Sequence, residues 1–144
     1  MLVLIRGAGD LASGVSLRLH RVGFPVVMTD LPKPTAIRRT VCFSQAIRFG
    51  TTMVEDAEGV CCHTAREVKA ALDAEKIPVL PDETAKCKDW LHPDVLVDGI
   101  LAKKNLGTKM SDAPLVIALG PGFCAGRDCH AVIETMRGHT LGRV

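Results

Sequence analysis

The sequence predicts a single Rossmann-like α/β domain over residues 1–144, with three layers built on a mostly parallel sheet. Three observations lead to this class. Short apolar runs alternate with helical or irregular segments, as in βαβ proteins. The first of these runs leads directly into a glycine-rich turn and a helical pattern. The length and the 47% hydrophobic content also suit one globular domain.

The first part of the chain predicts a complete βαβ unit. Residues 2–6 are rich in branched apolar side chains, which is typical of a strand buried on both faces. In residues 10–22 the apolar side chains recur at mostly helical spacing, and Gly23 follows at the position of a C-cap. Residues 25–29 form a second apolar run. The two strands are therefore expected to be parallel and joined by a right-handed crossover.

The middle of the chain gives weaker signals. Thr35 is expected to cap a helix over residues 35–49, which carries its apolar side chains on one side. Residues 51–62 predict two short strands around Glu58 and Gly59, although charged residues interrupt the alternation of polar and apolar positions.

The second half of the chain returns to a clear βα alternation. A helix is predicted over residues 64–74, because Thr64 and Glu67 have the spacing of a capping box. Three more apolar runs, residues 78–80, 95–97 and 115–119, predict further strands of the same sheet. Because all the runs belong to one alternating pattern, no boundary between domains is expected.

The composition argues against nucleic-acid and membrane partners. The formal net charge is +2, the 18 basic residues are spread along the chain, and aromatic residues are few, whereas nucleic-acid surfaces combine clustered cations with stacking platforms. The longest apolar runs are too short to span a bilayer, and no secretory leader is expected. Six cysteines in such a chain are expected to be reduced thiols. The predicted location is therefore the cytoplasm.

A nucleotide-binding pattern follows the first predicted strand. Gly7, Gly9 and Ala12 have the spacing that gives a tight turn, close approach of a phosphate to the backbone, and close packing of helix on strand. The helix N-terminus adds N–H donors and a partial positive charge. Asp30 ends the second strand, where its carboxylate can bind ribose hydroxyls. The pattern predicts a nucleotide or a nucleotide-bearing cofactor; the alternative is a plain tight turn with a capped strand end.

Two further features modify this prediction. Asp10 at the helix N-terminus can cap the helix, but its charge also repels a phosphate placed nearby. A second glycine-rich turn, with Gly120 and Gly122, follows the predicted strand 115–119 at the same edge of the sheet. Ligands of open α/β sheets bind at that edge, so the two turns are expected to form the two halves of one site. An ordinary surface loop is the alternative for the second turn.

Two charged side chains are candidates for anion binding or catalysis. Arg38, in the predicted helix over residues 35–49, suits bidentate contact with phosphate or carboxylate, with a solvated helix face as the alternative. Asp98 ends the predicted strand 95–97 and is a candidate catalytic, metal-binding or hydroxyl-binding group, with a strand-end cap as the alternative. The sequence contains no Ser-His-Asp order and no nucleophile elbow. It therefore points to a binding site before it points to a reaction.

The cysteines supply one more candidate. Cys124 lies in the second glycine turn, where we expect it to be exposed and therefore a candidate catalytic thiol. Cys61, Cys62 and Cys129 each lie close to a histidine in the sequence, but no C-x-x-C pair is present. No metal site is predicted from this spacing, and buried, inert thiols are the simpler interpretation.

Several longer motifs resemble one known family. They are IRGAGDLASGV at residues 5–15, RLHRVGF at 18–24, PTAIRRTV at 34–41, LAKKNLGT at 101–108, APLVI at 113–117 and LGPGF at 119–123. In these motifs, which span almost the whole chain, the sequence resembles the accessory proteins of selenium-dependent molybdenum hydroxylase systems. The resemblance implies a role in maturing molybdenum hydroxylases that need labile selenium, around the molybdenum cofactor, with such a hydroxylase as protein partner.

The resemblance adds two expectations about this chain. Lys103, within the motif at residues 101–108, becomes the third candidate catalytic residue beside Asp98 and Cys124, with a solvent-exposed lysine as the alternative. Members of the family usually continue past the final Gly-Arg-Val into a smaller β-rich segment, so the chain is expected to correspond to the N-terminal Rossmann-like module.

Three functions remain open at this point. The first is a maturation factor for molybdenum hydroxylases that binds a nucleotide or nucleotide-bearing cofactor between the two glycine turns. The second is an NAD(P)-dependent oxidoreductase, which the first glycine turn with Asp30 suggests but which lacks a recognisable acid/base set. The third is a non-catalytic nucleotide-sensing module. Whether the chain catalyses a reaction, and whether it forms a homo-oligomer, are left open by the sequence.

Overall fold

Alternating apolar runs and glycine turns build a sheet with helices on both of its faces. The computed structural model describes residues 1–144. The strands are β1 (Val3–Arg6), β2 (Val26–Asp30), β3 (Thr51–Val54), β4 (Ala57–Cys61), β5 (Ile77–Pro81), β6 (Val95–Asp98), β7 (Leu115–Leu119) and β8 (Ala131–Ile133). The helices are α1 (Asp10–Arg21), α2 (Gln45–Phe49), α3 (Ala65–Asp73) and α4 (Lys88–Leu91), with single 3-10 turns at Arg39–Val41 and Met110–Asp112.

The eight strands form one sheet in the order β3-β4-β5-β2-β1-β6-β7-β8. The β3-β4 pair is antiparallel, and every other neighbouring pair is parallel. If the β3-β4 hairpin is set aside, the remaining strands follow the order 3-2-1-4-5-6 of a Rossmann sheet. The predicted class, a Rossmann-like three-layer α/β fold with a mostly parallel sheet, is therefore confirmed, with a hairpin added at one edge.

The core is divided by the sheet into two apolar layers. Because side chains alternate along a strand, Val3 and Ile5 of β1 face α1 and α2, whereas Leu4 faces α3 and α4. Fully buried side chains fill both layers, among them Phe43 and Leu96. Burial of the central strands on both faces explains why they appear in the sequence as continuous apolar runs.

The βαβ unit and the capped helix confirm the sequence predictions. Helix α1 ends at Arg21, and Gly23 follows with a φ of +90°, the left-handed conformation that a C-cap glycine supplies. At the start of α3, Thr64 and Glu67 form the reciprocal hydrogen bonds of a capping box.

The predicted helix over residues 35–49 is wrong. Only α2 and a single 3-10 turn form in this stretch, and Arg38 lies in irregular backbone before the turn. The physical reason is tertiary: the Ser13 hydroxyl accepts the Phe43 N–H at 2.9 Å, and the Ala8 carbonyl accepts the Ser44 N–H at 3.1 Å. Because these N–H groups bond to the start of α1, a continuous helix cannot use them.

Three other elements differ from the sequence predictions. The hairpin between β3 and β4 turns at Glu55 and Asp56 rather than at Glu58 and Gly59, because β4 begins at Ala57. The short elements α4 and β8 are absent from the sequence predictions: α4 has only four residues, too few to show a helical period, and the three-residue apolar run of β8 was missed. No helix in the structure combines the length and apolar character needed to cross a membrane.

Candidate functional site

The first glycine turn joins β1 to α1, and close packing dictates two of its residues. Gly7 has a φ of +104°, and a Cβ at this position would lie 3.0 Å from the carbonyl oxygen of Gly99. Ala12 is buried, and a Cβ at Gly99 would lie 3.0 Å from the Ala12 Cβ. Only very small residues at these positions let the start of α1 pack against the end of β6.

The middle glycine of the turn is not required by the fold. Gly9 has an ordinary φ of −71°, and a Cβ built there meets no atom within 4 Å. It forms the N-cap of α1 without a side-chain cap, and the N–H groups of Gly9, Asp10 and Ala12 donate no hydrogen bond within the chain. The start of α1 therefore presents free donors and a partial positive charge to open space.

Asp30 stands at the end of β2, next to the glycine turn. Its Oδ2 accepts the Ala8 N–H at 3.0 Å, and its Oδ1 accepts the Leu31 N–H at 2.7 Å. Burial raises the pKa of the Asp30 carboxyl above its ordinary value, against the effect of the two N–H donors. Each carboxylate oxygen keeps a free lone pair, so the group can still accept a ligand hydroxyl.

Asp10 and Arg38 form an ion pair at the start of α1. The Oδ1 atom of Asp10 accepts the Leu11 N–H at 2.9 Å, and its Oδ2 atom lies 2.6 Å from an Nη atom of Arg38. The Arg38 side chain is 74% exposed, and an exposed pair of this kind contributes about 0–1 kcal/mol. The pair therefore partly neutralises the carboxylate that would oppose a phosphate here.

The two glycines of the first turn, Asp10 and Asp30 line one cleft of about 580 Å³ at the carboxyl ends of the central strands, which we call the carboxyl-edge cleft. Arg38 and Ala12 do not line it. It extends from Thr35 and Ala36, across the first glycine turn, to residues 99–101 after β6. The strand order reverses direction between the neighbouring strands β1 and β6, and open α/β sheets bind their ligands at such a switch point. The volume lies within the roughly 300–1,000 Å³ of small-molecule sites.

Asp98 lies beneath this cleft rather than on its wall. It is only 1% exposed, its Oδ2 accepts the Thr108 hydroxyl at 2.6 Å, and its Oδ1 accepts the Ile100 N–H at 3.2 Å. The same Oδ2 lies 3.8 Å from an Nη atom of Arg6. The structure thus places this predicted catalytic candidate in a buried network, as the counter-charge of an arginine that the sequence analysis did not single out.

Arg6 ends β1 and connects the loops around the cleft. One Nη atom donates to the Thr108 hydroxyl at 2.9 Å, and the other donates to the carbonyls of Leu106 at 2.8 Å and Glu83 at 3.3 Å. The guanidinium therefore holds the segment after β5 and the segment after β6 against the end of β1.

The second glycine turn does not share the carboxyl-edge cleft. Gly120 lines a separate depression near β8, and a Cβ there would lie 2.9 Å from Leu101 Cδ2. At Gly122, which has a φ of +101°, a Cβ would lie 2.5 Å from the Lys104 Cα. The backbone after β6 thus lies between the two glycine turns, and the expectation that they line one cleft is wrong.

Lys103 lies in this intervening segment. Its side chain is exposed and forms no ion pair, and its backbone has a φ of +60°. The neighbouring Asn105 uses its amide within its own turn, since its Oδ1 accepts the N–H groups of Gly107 and Thr108. Neither side chain reaches the wall of the carboxyl-edge cleft.

The six cysteines are unpaired thiols in the structure. Cys124 is exposed and its N–H donates to Asp128 Oδ2 at 2.8 Å, but it lines neither depression. No group of three or more His, Cys, Asp and Glu side chains is placed to hold a metal ion. Burial raises the pKa of the Cys62 thiol to about 11 and that of Cys87 to about 12.

These environments predict a clear order of thiol reactivity. When the native chain is treated with iodoacetamide at about pH 8, we expect Cys124 to react first and Cys87 last, because the thiolate is the nucleophile and a raised pKa removes it. Peptide mass spectrometry over time measures the order, and the urea-unfolded chain, in which all six should react, is the control. Modification of Cys87 before Cys124 would contradict the packing described.

Four residues of the site were not predicted from the sequence: Arg6, Thr29, Glu83 and Thr108. Arg6 carried the one available signal, since a charged residue ends an otherwise apolar buried strand. Thr29 also ends a buried run, whereas Glu83 and Thr108 lie in loops, where the sequence pattern gave no indication of their neighbours.

The fold and the cleft together define a Rossmann-like α/β domain with a ligand-sized cleft at the switch point of its sheet. Among known proteins, the chain is 52% identical over 143 residues to a protein of Escherichia coli (strain K12) named "Uncharacterized protein YqeB". The match covers 99% of this chain and 26% of that protein, so the chain spans about a quarter of its relative's length. Neither a family model nor a solved structure matches the chain.

Proposed function

We propose that this domain binds a nucleotide or nucleotide-bearing cofactor in the carboxyl-edge cleft and serves as an accessory factor in the maturation of selenium-dependent molybdenum hydroxylases. The binding part rests on the geometry of the cleft. The maturation part, with a molybdenum hydroxylase as the partner, rests on the motif resemblance. Six free thiols favour a reducing compartment, and the proposal places the domain in the cytoplasm.

The observation that carries the binding proposal is the open space at Gly9. The fold requires glycine at position 7, but nothing in the fold occupies the space that a side chain at position 9 would fill. The space lies directly before a helix of 12 residues, and the N–H groups of Gly9, Asp10 and Ala12 at its start are unbonded. A phosphate group matches both features, because it needs close approach to the backbone and accepts several N–H bonds.

The neighbouring groups fit the rest of such a ligand. Asp30 lies one strand away, where its carboxylate can accept a ribose hydroxyl. Arg38, already 2.6 Å from Asp10, can turn from that carboxylate to a phosphate, since the exposed pair is weak. The charge of Arg38 then offsets the repulsion between Asp10 and the phosphate.

Substitution Gly9→Val tests this placement. Valine fills the space before α1 at an ordinary φ, so we expect the free chain to keep its melting temperature while its affinity for a nucleoside diphosphate falls about tenfold or more through lost charge-assisted hydrogen bonds. A thermal-shift panel of adenine, guanine and cytosine nucleotides, NAD and NADP measures the effect. Gly14→Val is the matched control, because Gly14 also has open space around it but lies one turn into α1 and does not line the cleft.

An unchanged nucleotide response in Gly9→Val would contradict the proposed placement. The same pair of variants tests the maturation role in cells that lack the native protein. There, the Gly14→Val form of the intact protein should restore the activity of a selenium-dependent molybdenum hydroxylase, and the Gly9→Val form should not. Equal restoration by both variants would mean that the maturation role does not depend on this cleft.

An NAD(P)-dependent oxidoreductase is the second candidate. The strand order 3-2-1-4-5-6 and the acid at the end of β2 favour it, because both are features of dinucleotide-binding Rossmann domains. A thermal shift with NAD or NADP alone, and with no mononucleotide, would favour this function over the first.

A further inference from the structure

The strand order lays three polar positions along the edge of the sheet. The first glycine turn follows β1, Asp30 ends β2, and Glu83 and Thr84 follow β5, and these three strands are neighbours in the sheet. Neighbouring strands lie about 4.8 Å apart. If the phosphate of a nucleotide lies at α1 and its ribose at Asp30, the base extends over the end of β5, where Glu83 and Thr84 line the cleft.

The floor of the cleft beside that position holds two buried polar groups without partners. Arg6 and Thr29 are paired in register on β1 and β2, are 5% and 1% exposed, and both line the cleft. Neither Arg6 Nε nor Thr29 Oγ1 has a hydrogen-bond partner in the chain. Six buried side-chain atoms of the chain lack a hydrogen-bond partner, and only these two belong to residues that line the cleft. Because buried polar groups are usually paired, a polar ligand group at this position would supply the missing partners.

Glu83 supplies the opposite hydrogen-bonding character at the same place. Glu83 lines the cleft, its side chain is exposed and forms no ion pair or hydrogen bond, and its backbone carbonyl accepts from Arg6 at 3.3 Å. One subsite thus combines an N–H donor on its floor with a free carboxylate acceptor on its wall.

We propose that this subsite recognises a 2-amino-4-oxopyrimidine edge, the edge that guanine presents, with Glu83 as the residue that selects it; the inference rests on the proposed nucleotide binding. The ring carbonyl accepts from the Arg6 guanidinium, and the adjacent ring N–H and amino group donate to the Glu83 carboxylate. Adenine instead turns an unprotonated ring nitrogen toward that carboxylate, so two acceptors face each other. Sites built on such hydrogen bonds discriminate strongly against bases that lack the matching donor.

Titration calorimetry of the 144-residue chain with GDP and ADP tests the inference. We expect GDP to bind about tenfold or more tightly than ADP, and Glu83→Gln to remove most of this difference by weakening GDP. Glu75→Gln is the matched control, because Glu75 is exposed and unpaired but lies outside the cleft, so the GDP preference should persist. Both glutamates are on the surface, so both variants are expected to fold.

The outcomes separate this inference from the binding proposal. Equal affinities for GDP and ADP, both lost in Gly9→Val, would overturn the guanine preference and leave nucleotide binding in place. A GDP preference that survives Glu83→Gln would overturn the role of Glu83. Absence of binding by any nucleotide would overturn both proposals. Pterin carries the same edge without ribose or phosphate. Pterin binding that is lost in Glu83→Gln and kept in Gly9→Val would show that the edge itself is recognised. Binding of GDP without binding of pterin would show that the whole nucleotide is required.

Discussion

Replacing Asp98 with alanine is expected to lower the free energy of unfolding by about 3–5 kcal/mol, the usual effect of removing one partner of a buried charged pair. The Arg6 guanidinium would then be buried without its counter-charge, and the Thr108 hydroxyl would lose its acceptor. The loss is large because the remaining charge keeps its desolvation penalty in an apolar surrounding. Urea unfolding followed by circular dichroism measures the change.

A double-mutant cycle separates the charge from the packing. In Arg6→Met with Asp98→Leu, both charges are gone, and we expect a smaller loss of stability than in Asp98→Ala alone. If the losses of stability in the single variants Arg6→Met and Asp98→Leu simply added up in the double variant, the ion pair would not be the source of the energy. Because Arg6 also holds the loops around the cleft, the double variant should bind nucleotides weakly even where it folds.

Substitution Gly122→Ala is expected to destabilise the chain by about 2–4 kcal/mol, since it combines backbone strain with a direct overlap. A Cβ at this position would lie 2.5 Å from the Lys104 Cα and 2.8 Å from the Lys103 carbonyl carbon, and both are backbone atoms that cannot rotate away. The residue also has a φ of +101°. The second glycine turn must therefore move away from the segment after β6, and thermal unfolding should report the change.

Gly126→Ala isolates the strain from the overlap. Gly126 has a φ of +82°, but a Cβ there meets no atom within 4 Å, so only the backbone term remains and we expect a loss of about 1 kcal/mol. Equal losses of stability in the two variants would mean that the close approach of Gly122 to Lys104 contributes nothing to the destabilisation. A larger loss in Gly122→Ala would establish that the two loops at this edge support each other.

The two halves of the carboxyl edge differ in how they are built. On the β2 side, the first glycine turn, Asp30 and the free start of α1 leave an open cleft. On the β7 side, the segment after β6 fills the space next to Gly122 with its own backbone. A ligand that extended from β1 toward β2 and β5 would come within reach of Arg6 and Glu83, which both line the cleft.

Much of the fold could be predicted because the signals were local. The apolar runs, the spacing of Gly7, Gly9 and Ala12, and the capping box at Thr64 each involve residues close together in the chain. The prediction of a helix over residues 35–49 was wrong for the opposite reason. Ser13 and Ala8 accept hydrogen bonds from the backbone of Phe43 and Ser44, and the local periodicity of the sequence does not reveal that contact.

By itself, the sequence determined the class of fold, the first βαβ unit and the position of its glycine turn, because short-range periodicity and glycine spacing dictate them. Only the tertiary structure decided that Asp98 neutralises Arg6, that the two glycine turns lie in separate depressions, and that Glu83 stands beside Arg6. Each of these depends on side chains or backbone segments far apart in the chain, which meet only when the strands take their places in the sheet.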